Sequence, residues 1–391
     1  MAVEMKITAV GSVVVNAQMR NWVFVKVETD AGITGWGEAS LEWKTRGVVG
    51  CVEDLAPLIL GQDPRRIEHL YQIMNRHAFF RAGVVGMSAL SGIEQACWDI
   101  WGKSLEVPVY QLLGGAVRDS IRMYDHLGGG EMQALYMQDQ PERMAERARE
   151  SVAAGYDAIK VLVVPITEPL AGMAPLRHAD RCMAAIREAV GDAVDIMVDL
   201  HGRTTPIVAI QYGEMLRPYR PWFMEEPCPP ENIEGMAEVA RALPGIPIAT
   251  GERLVTRHQF RPLLERGACA VIQPDLCHCG GLWEARKIAA MAETYYVSVA
   301  PHNPLGPVAT AAAVHFGFAT PNFLIQEAIR SDVPWRDEVV RHPVEVRGGR
   351  VALPERPGLG IEVDEAAAAK HPFAPEVLMQ PFHRDGSVAD W

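Results

Sequence analysis

The chain changes its hydrophobic rhythm once. Near the start, "KITAVGSVVVN" and "NWVFVKVETDAGITGWGEA" alternate apolar with other residues and are rich in Val and Thr. That two-residue period belongs to strands with one buried face. "DAG" at 30–32 separates two such runs and predicts a hairpin. A helical pattern follows in "VGMSALSGIEQACWDIWGKSL". Together these predict a small α+β module over residues 1–118.

From about residue 120, short apolar runs alternate with amphipathic helical stretches. The runs are "SIRMYDH", "DAIKVLVV", "DIMVDLH", "PWFMEEP", "IPIATGE", "CAVIQPD", "VSVAPHN" and "NFLIQE". The helical stretches are "PERMAERARESVAAG", "ADRCMAAIREAVG", "TPIVAIQYGEMLRP", "NIEGMAEVARAL", "TRHQFRPLLERG" and "LWEARKIAAMAETY". Eight strands alternating with helices predict a (β/α)8 barrel over 119–345. An open doubly wound sheet is the alternative, but "LGGGEM" lacks its G-x-G-x-x-G spacing. Residues 346–391, with "RVALPERPGLGIEVDE", read as a return segment with little core of its own.

Charge sharpens this pattern. Asp199, Glu225, Glu252, Asp275, His302 and Glu327 end the third to eighth runs, at intervals of 26, 27, 23, 27 and 25 residues. One βα unit has about that length, so the six converge on the rim where barrels place their chemistry. Asp199, Glu225 and Glu252 cannot sit together ionised without a counter-charge. Hard oxygen donors of this kind suit Mg²⁺. The plainer alternative pairs each acid with an Arg or a helix N-terminus. Asp275 and His302 end adjacent strands, as a carboxylate orienting a general base or as a structural hydrogen bond. His201 lies two residues past Asp199, and residues i and i+2 on a strand share a face, so it points into the same cavity. It reads as a general acid or as support for the metal. Glu327 either meets a substrate carboxylate in protonated form or pairs with Arg330.

Composition narrows the class. With 37 Lys and Arg against 49 Asp and Glu, the net charge is −12. No basic stripe offers itself to nucleic acid or an anionic membrane. Seven cysteines without a paired framework predict free thiols, and no 18-residue apolar run exists, so the expectation is a soluble cytoplasmic protein. "CHC" at 277–279 lacks the second ligand pair of a structural zinc site. "EE" at 225–226 lacks the across-cleft spacing of a glycosidase.

The ordered set "GWGEA", "DLHGR", "FMEEP", "GERL", "IQPDLCHCGG", "APHNPLGP", "IQE" and "PGLGIEVDE" resembles the enolase superfamily, mandelate racemase subgroup. Within it, the chain is similar to the D-galactonate dehydratase-like acid-sugar dehydratases. The resemblance runs from about Ile7 to Trp391. It implies a modified (β/α)8 TIM barrel under an N-terminal α+β capping domain completed by the C-terminal tail. It implies Mg²⁺ on Asp199, Glu225 and Glu252, a base His302 with Asp275, an acid His201, and Glu327 stabilising an enolate. Two features depart from the pattern. Lys160-Val161-Leu162 replaces the Lys-x-Lys of the racemases, which removes the second base. "EAIRSDVPWRDE" replaces the usual segment after Glu327, which leaves the sugar open.

The resulting expectation is an Mg²⁺-dependent acid-sugar dehydratase that removes the C2 proton and the 3-hydroxyl to give a 2-keto-3-deoxy acid. A cycloisomerase or epimerase using the same enolate is the alternative, and a non-catalytic barrel the weaker one. Lys160, which either touches the substrate carboxylate or braces the rim, Arg203 and the cap positions Trp43, Lys44 and Arg46 are the expected substrate contacts, with the loops around 131–140 and 164–176. Relatives imply a homo-oligomer, octamer or dimer.

Overall fold

The computed structural model describes residues 4–81, 83–127, 140–330, 332–376 and 380–390. The alternating N-terminal runs pair as an antiparallel sheet, β1 (Ile7–Ala17), β2 (Arg20–Thr29) and β3 (Thr34–Glu38), in that order. The hairpin between β2 and β3 turns through Gly32, at φ +73°. Helix Gly83–Ser104 lies against β3. The glycines of "GWG" permit this approach: a Cβ on Gly35 or Gly37 would collide with the backbone carbonyls of Ala96 and Gly92.

Eight parallel strands follow in chain order. They are β4 (Ser120–His126), β5 (Ala158–Val161), β6 (Asp195–Asp199), β7 (Met224–Glu225), β8 (Ile248–Thr250), β9 (Val271–Ile272), β10 (Ser298–Val299) and β11 (Gln326–Ala328). β11 pairs with β4, and a parallel bridge from Val299 to Phe323 closes the ring. All eight expected runs hold a strand. Tyr124, Ala158, Met197, Phe223, Ala249, Val271, Ala300 and Ile325 form one buried cluster. Each comes from a strand or its immediate flank, so the interior is a filled core rather than a pore.

The six amphipathic stretches are helical. A seventh helix, Pro307–Ala319, has no counterpart among them. All thirteen of its residues are buried. A helix apolar all round carries no amphipathic period, so pattern reading passes over it. Among the described residues no α-helix follows β11 until Glu365–Ala368. That gap is the modification of the barrel.

The return segment has more core than its pattern predicts: Val351, Leu359, Ile361 and Val363 are buried. A short strand, Arg350–Ala352, adds antiparallel to β4. Residues 358–376 go back to the N-terminal module, where Leu359 N–H donates to Asp99 and Lys26 pairs with Glu365. Arg384 N–H instead reaches Glu168 on the loop after β5.

Buried carboxylates join the N-terminal module to the barrel. Glu38 accepts from Gly306 N at 2.7 Å, Ala309 N at 2.8 Å and the Ser40 hydroxyl at 2.6 Å, capping helix Pro307–Ala319. Glu94 accepts from Leu282 N at 2.8 Å, Trp283 N at 2.9 Å and the Trp98 indole at 2.7 Å, capping helix Gly281–Glu293. Free helix N–H groups make such ends natural carboxylate sites. No described helix is long and apolar enough to cross a membrane, and all seven cysteines are free thiols.

Candidate active site

The strand-end charges meet around one ammonium. Lys160, at the end of β5, is 2% exposed. Its Nζ lies 2.7 Å from Glu225, 2.8 Å from Glu327 and 3.4 Å from Asp199. Lys160 was expected to touch substrate, and in this structure its contacts are those acids. Burial works against its charge, but Glu225, Glu327 and Asp199 hold its pKa well up. One cation does not balance three carboxylates. Burial, then Asp199, pushes the Glu225 carboxyl well above the usual range.

Glu327 departs from both expectations. Arg330 pairs with Asp125 on the outer side of β4, leaving Glu327 to Lys160 and the Asn303 N–H at 2.7 Å. Burial alone would raise its pKa, but the charges of Lys160 and His302 hold it low, so it is a carboxylate rather than a protonated donor.

His201 reaches the expected cavity by a different route. β6 ends at Asp199, so strand alternation does not carry the side chain inward. His201 instead adopts a left-handed turn at φ +51°. Its N–H donates to Asp199 Oδ1 at 2.9 Å, and its Nε2 lies 3.3 Å from Asp199 Oδ2. Arg203 Nη2 meets His201 Nδ1 at 3.3 Å while Nη1 donates to the Val164 carbonyl at 3.0 Å. A guanidinium only donates, so Nδ1 is the acceptor and the ring N–H is on Nε2. Arg203 therefore positions His201 and ties down the start of the 164–176 loop.

His302 faces this corner from β10. Its Nδ1 is 2.8 Å from Asp275 Oδ2, and its Nε2 is 3.7 Å from Glu252 Oε2. Burial disfavours the charged ring, but the Glu252 charge and the Asp275 hydrogen bond outweigh it and hold the pKa up at about 10. Glu226, at φ +40°, turns from its neighbour Glu225 to pair with Arg253 at 2.5 Å.

Glu225 Oε2 and Glu252 Oε2 are buried without a hydrogen-bond partner, and Asp199 Oδ2 has only long contacts, His201 Nε2 at 3.3 Å and Lys160 Nζ at 3.4 Å, so three successive strand ends each offer an under-used oxygen. Unsaturated anionic oxygens in this number fit a hard divalent cation. Among the described residues, no three Asp, Glu, His or Cys side chains already close into a ligand shell. Lys160 takes up the other oxygen of Glu225 as counter-ion.

The expected cap contacts are spread out. Arg20 pairs with Glu42 at 2.7 Å and donates to the Pro304 carbonyl, which sets the turn of Trp43 against the segment after His302. Lys44 is exposed, and Arg46 stacks on Phe373, 5.0 Å from the ring centre. Of the loop at 131–140, residues 131–139 lie outside the described set.

Pattern reading missed His126. It ends β4, is 6% exposed, and neither ring nitrogen has a hydrogen-bond partner. Burial and the nearby Lys160 keep it neutral, with a pKa down at about 3. The strand-end rule applied to "SIRMYDH" would have found it.

Two family descriptions match the chain. "Mandelate racemase / muconate lactonizing enzyme, N-terminal domain" covers residues 2–114, and "Enolase C-terminal domain-like" covers 143–367. A D-galactonate dehydratase of Ralstonia nicotianae is 40% identical over 379 residues, 95% of this chain and 96% of that protein. A putative dehydratase of Salmonella enterica serovar Typhimurium superposes with a TM-score of 0.88 at 37% identity, covering 94% of this chain and 98% of that one. A mandelate racemase/muconate lactonizing enzyme from Sulfitobacter gives 0.89 at 39% identity, over 96% and 98%. With both halves matched and the same barrel closed under the same N-terminal module, the chain belongs to the mandelate racemase/muconate lactonizing enzyme family of the enolase superfamily.

Proposed function

We propose that the protein is a sugar-acid dehydratase of the D-galactonate type, converting its substrate to a 2-keto-3-deoxy acid. The observation that carries this reading is a pair of opposed imidazoles. His201 and His302 both turn Nε2 toward the acid cluster, from β6 and β10. Their backing differs in sign: Arg203 lies at Nδ1 of His201, Asp275 at Nδ1 of His302. A carboxylate behind an imidazole favours accepting a proton at the far nitrogen. A guanidinium behind one fixes the N–H on that far nitrogen, ready to be given.

His302 takes the C2 proton at Nε2 from its neutral form, which a counter-charge on Glu252 would favour by removing the largest influence that keeps the ring protonated. His201 Nε2–H protonates the 3-hydroxyl as it leaves, and the resulting enol ketonises. Asp199, Glu225 and Glu252 would hold Mg²⁺. That ion would supply charge to offset the enolate developing at the substrate carboxylate. Lys160 keeps Glu225 and Glu327 together and adds positive charge to the same place. His126 presents a neutral imidazole to a substrate hydroxyl. A second base on β5 is absent, because Leu162 stands where the racemases carry a lysine. Two-base racemisation is therefore disfavoured.

The test is a panel of sugar acids with Mg²⁺, following C2 deuterium exchange and keto-acid formation separately, in the parent and in His201→Asn. The parent should perform both steps on at least one sugar acid. His201→Asn should retain exchange and lose elimination. Loss of both with metal affinity unchanged would move His201 into enolisation and remove the division of roles.

A further inference from the structure

The "CHC" stretch has no role in zinc binding, yet its histidine is not idle. His278 is 6% exposed and stands at the junction of barrel and cap. Its Nδ1 lies 2.9 Å from the Ser88 hydroxyl on helix Gly83–Ser104 of the cap. Its Nε2 lies 3.5 Å from Asp275 Oδ2, the oxygen that meets His302 Nδ1 at 2.8 Å. The other oxygen, Asp275 Oδ1, accepts from Cys277 N–H at 2.7 Å. His278 and Cys279 N–H both donate to the Asp275 carbonyl, at 3.0 and 2.8 Å. This turn folds the histidine back over the carboxylate three residues before it.

Proton accounting gives the contacts a direction. The Ser88 hydroxyl has one hydrogen and two acceptors in reach, His278 Nδ1 and the Val84 carbonyl at 2.8 Å. If Val84 receives it, a neutral His278 carries its proton on Nδ1 and turns a bare Nε2 lone pair toward Asp275. Two lone pairs then face each other in a buried site. If Nδ1 receives it, the His278 proton is on Nε2, 3.5 Å from Oδ2. Only the second arrangement gives the Asp275 carboxylate an attractive neighbour on that side.

We propose that His278 is a positioning residue, linking Ser88 of the cap to Asp275 and through it holding the ring of His302. This rests on the reading of His302 as the C2 base. The chain of contacts is Ser88, His278, Asp275, His302, and it spans two elements 190 residues apart in sequence at its first step. Its consequence is that the cap takes part in aiming the base as well as covering the mouth. An orienting partner one shell out is commonly worth about 10- to 100-fold in activity.

The experiment compares His278→Leu, His278→Gln and Ser88→Ala with the parent and with His302→Asn as control. Gln keeps a side-chain N–H for Asp275, whereas Leu keeps only bulk. His278→Leu should lower the rate of C2 exchange by about 10- to 100-fold with KM and Mg²⁺ affinity little changed. His278→Gln should recover most of that loss, and Ser88→Ala should fall between His278→Leu and the parent. A second readout needs no turnover. The downfield proton NMR resonance of His302 Nδ1–H, assigned by its absence in His302→Asn, should shift or broaden in His278→Leu and return in His278→Gln. An unchanged rate and resonance in His278→Leu overturns the proposal. So does a loss of rate that Gln fails to rescue, accompanied by a lowered melting temperature, since that marks a packing role. If the parent exchanges the C2 proton of no sugar acid, the dehydratase reading fails, and the resonance alone decides the positioning.

Discussion

Two sets of buried carboxylates divide this molecule. At the junction of cap and barrel, Glu38, Glu94 and Asp99 are saturated. Each accepts from two backbone N–H groups, and Ser40, Trp98 and Lys103 supply further contacts. At the barrel mouth, Asp199, Glu225 and Glu252 each retain an under-used oxygen. The residue types are alike, and all but Glu252, whose side chain is 15% exposed, are fully buried; the difference is satisfaction. A saturated buried acid is structure, because removing it strands its donors. An unsaturated one has room for a ligand, because folding left its charge only partly compensated.

Three substitutions break or sharpen this contrast. Glu225→Gln has the largest expected effect. Loss of one anionic oxygen and its charge should cost about 10³-fold in kcat/KM, the equivalent of several kcal/mol of lost charge stabilisation. Mg²⁺ should no longer raise the melting temperature. Metal-free stability should stay within about 1 kcal/mol of the parent, since Gln keeps the shape of the side chain and an oxygen for Lys160. A large loss of metal-free stability would place Glu225 with the saturated set.

Glu94→Ala should do the reverse. It strands two N–H groups at the start of helix Gly281–Glu293 and the Trp98 indole, at a cost of about 3 kcal/mol. Denaturant unfolding measures this, and metal affinity should be unchanged. A stability equal to the parent's would remove Glu94 from the saturated set.

The smallest effect concerns His315, in the same junction. It is 1% exposed, and its Nδ1 accepts from Tyr110 N–H at 3.2 Å. Burial brings its pKa down to about 4. The unfolded chain then binds a proton below about pH 6.5 that the folded chain refuses until about pH 4. Its contribution is therefore complete above pH 6.5 and is lost as pH falls through that window. At pH 5 the loss is about 2 kcal/mol. Glu94 and Asp99, pushed up to about 7 and about 6 by burial, take protons in the folded state and run the other way. The comparison is therefore the slope of parent against His315→Gln, which keeps an acceptor for Tyr110. Identical slopes between pH 6.5 and 4 would remove His315 from this account.

Much of the mouth was legible because barrel periodicity is a sequence property. Charges that recur every 23 to 27 residues at the ends of apolar runs must gather on one rim once the strands close. The same logic reached His302 and Asp275, and would have reached His126. It could not reach helix Pro307–Ala319, whose uniform burial erases the period. Nor could it place His201, where a left-handed turn after β6 replaces strand alternation.

The sequence by itself determined the two rhythms, the eight strands and the order of charges along the rim, because each depends on spacing within a single segment. Tertiary structure decided which acid meets which cation. Lys160 and Glu327 are 167 positions apart, and Ser88 and His278 are 190 apart. No local period relates such pairs. Lys160 became the counter-ion of the cluster, Glu38 and Glu94 became helix caps, and His278 came to rest behind Asp275 only when the barrel closed and the cap docked. Hydrogen bonds and charges act over a few ångströms, and only the folded chain sets those distances.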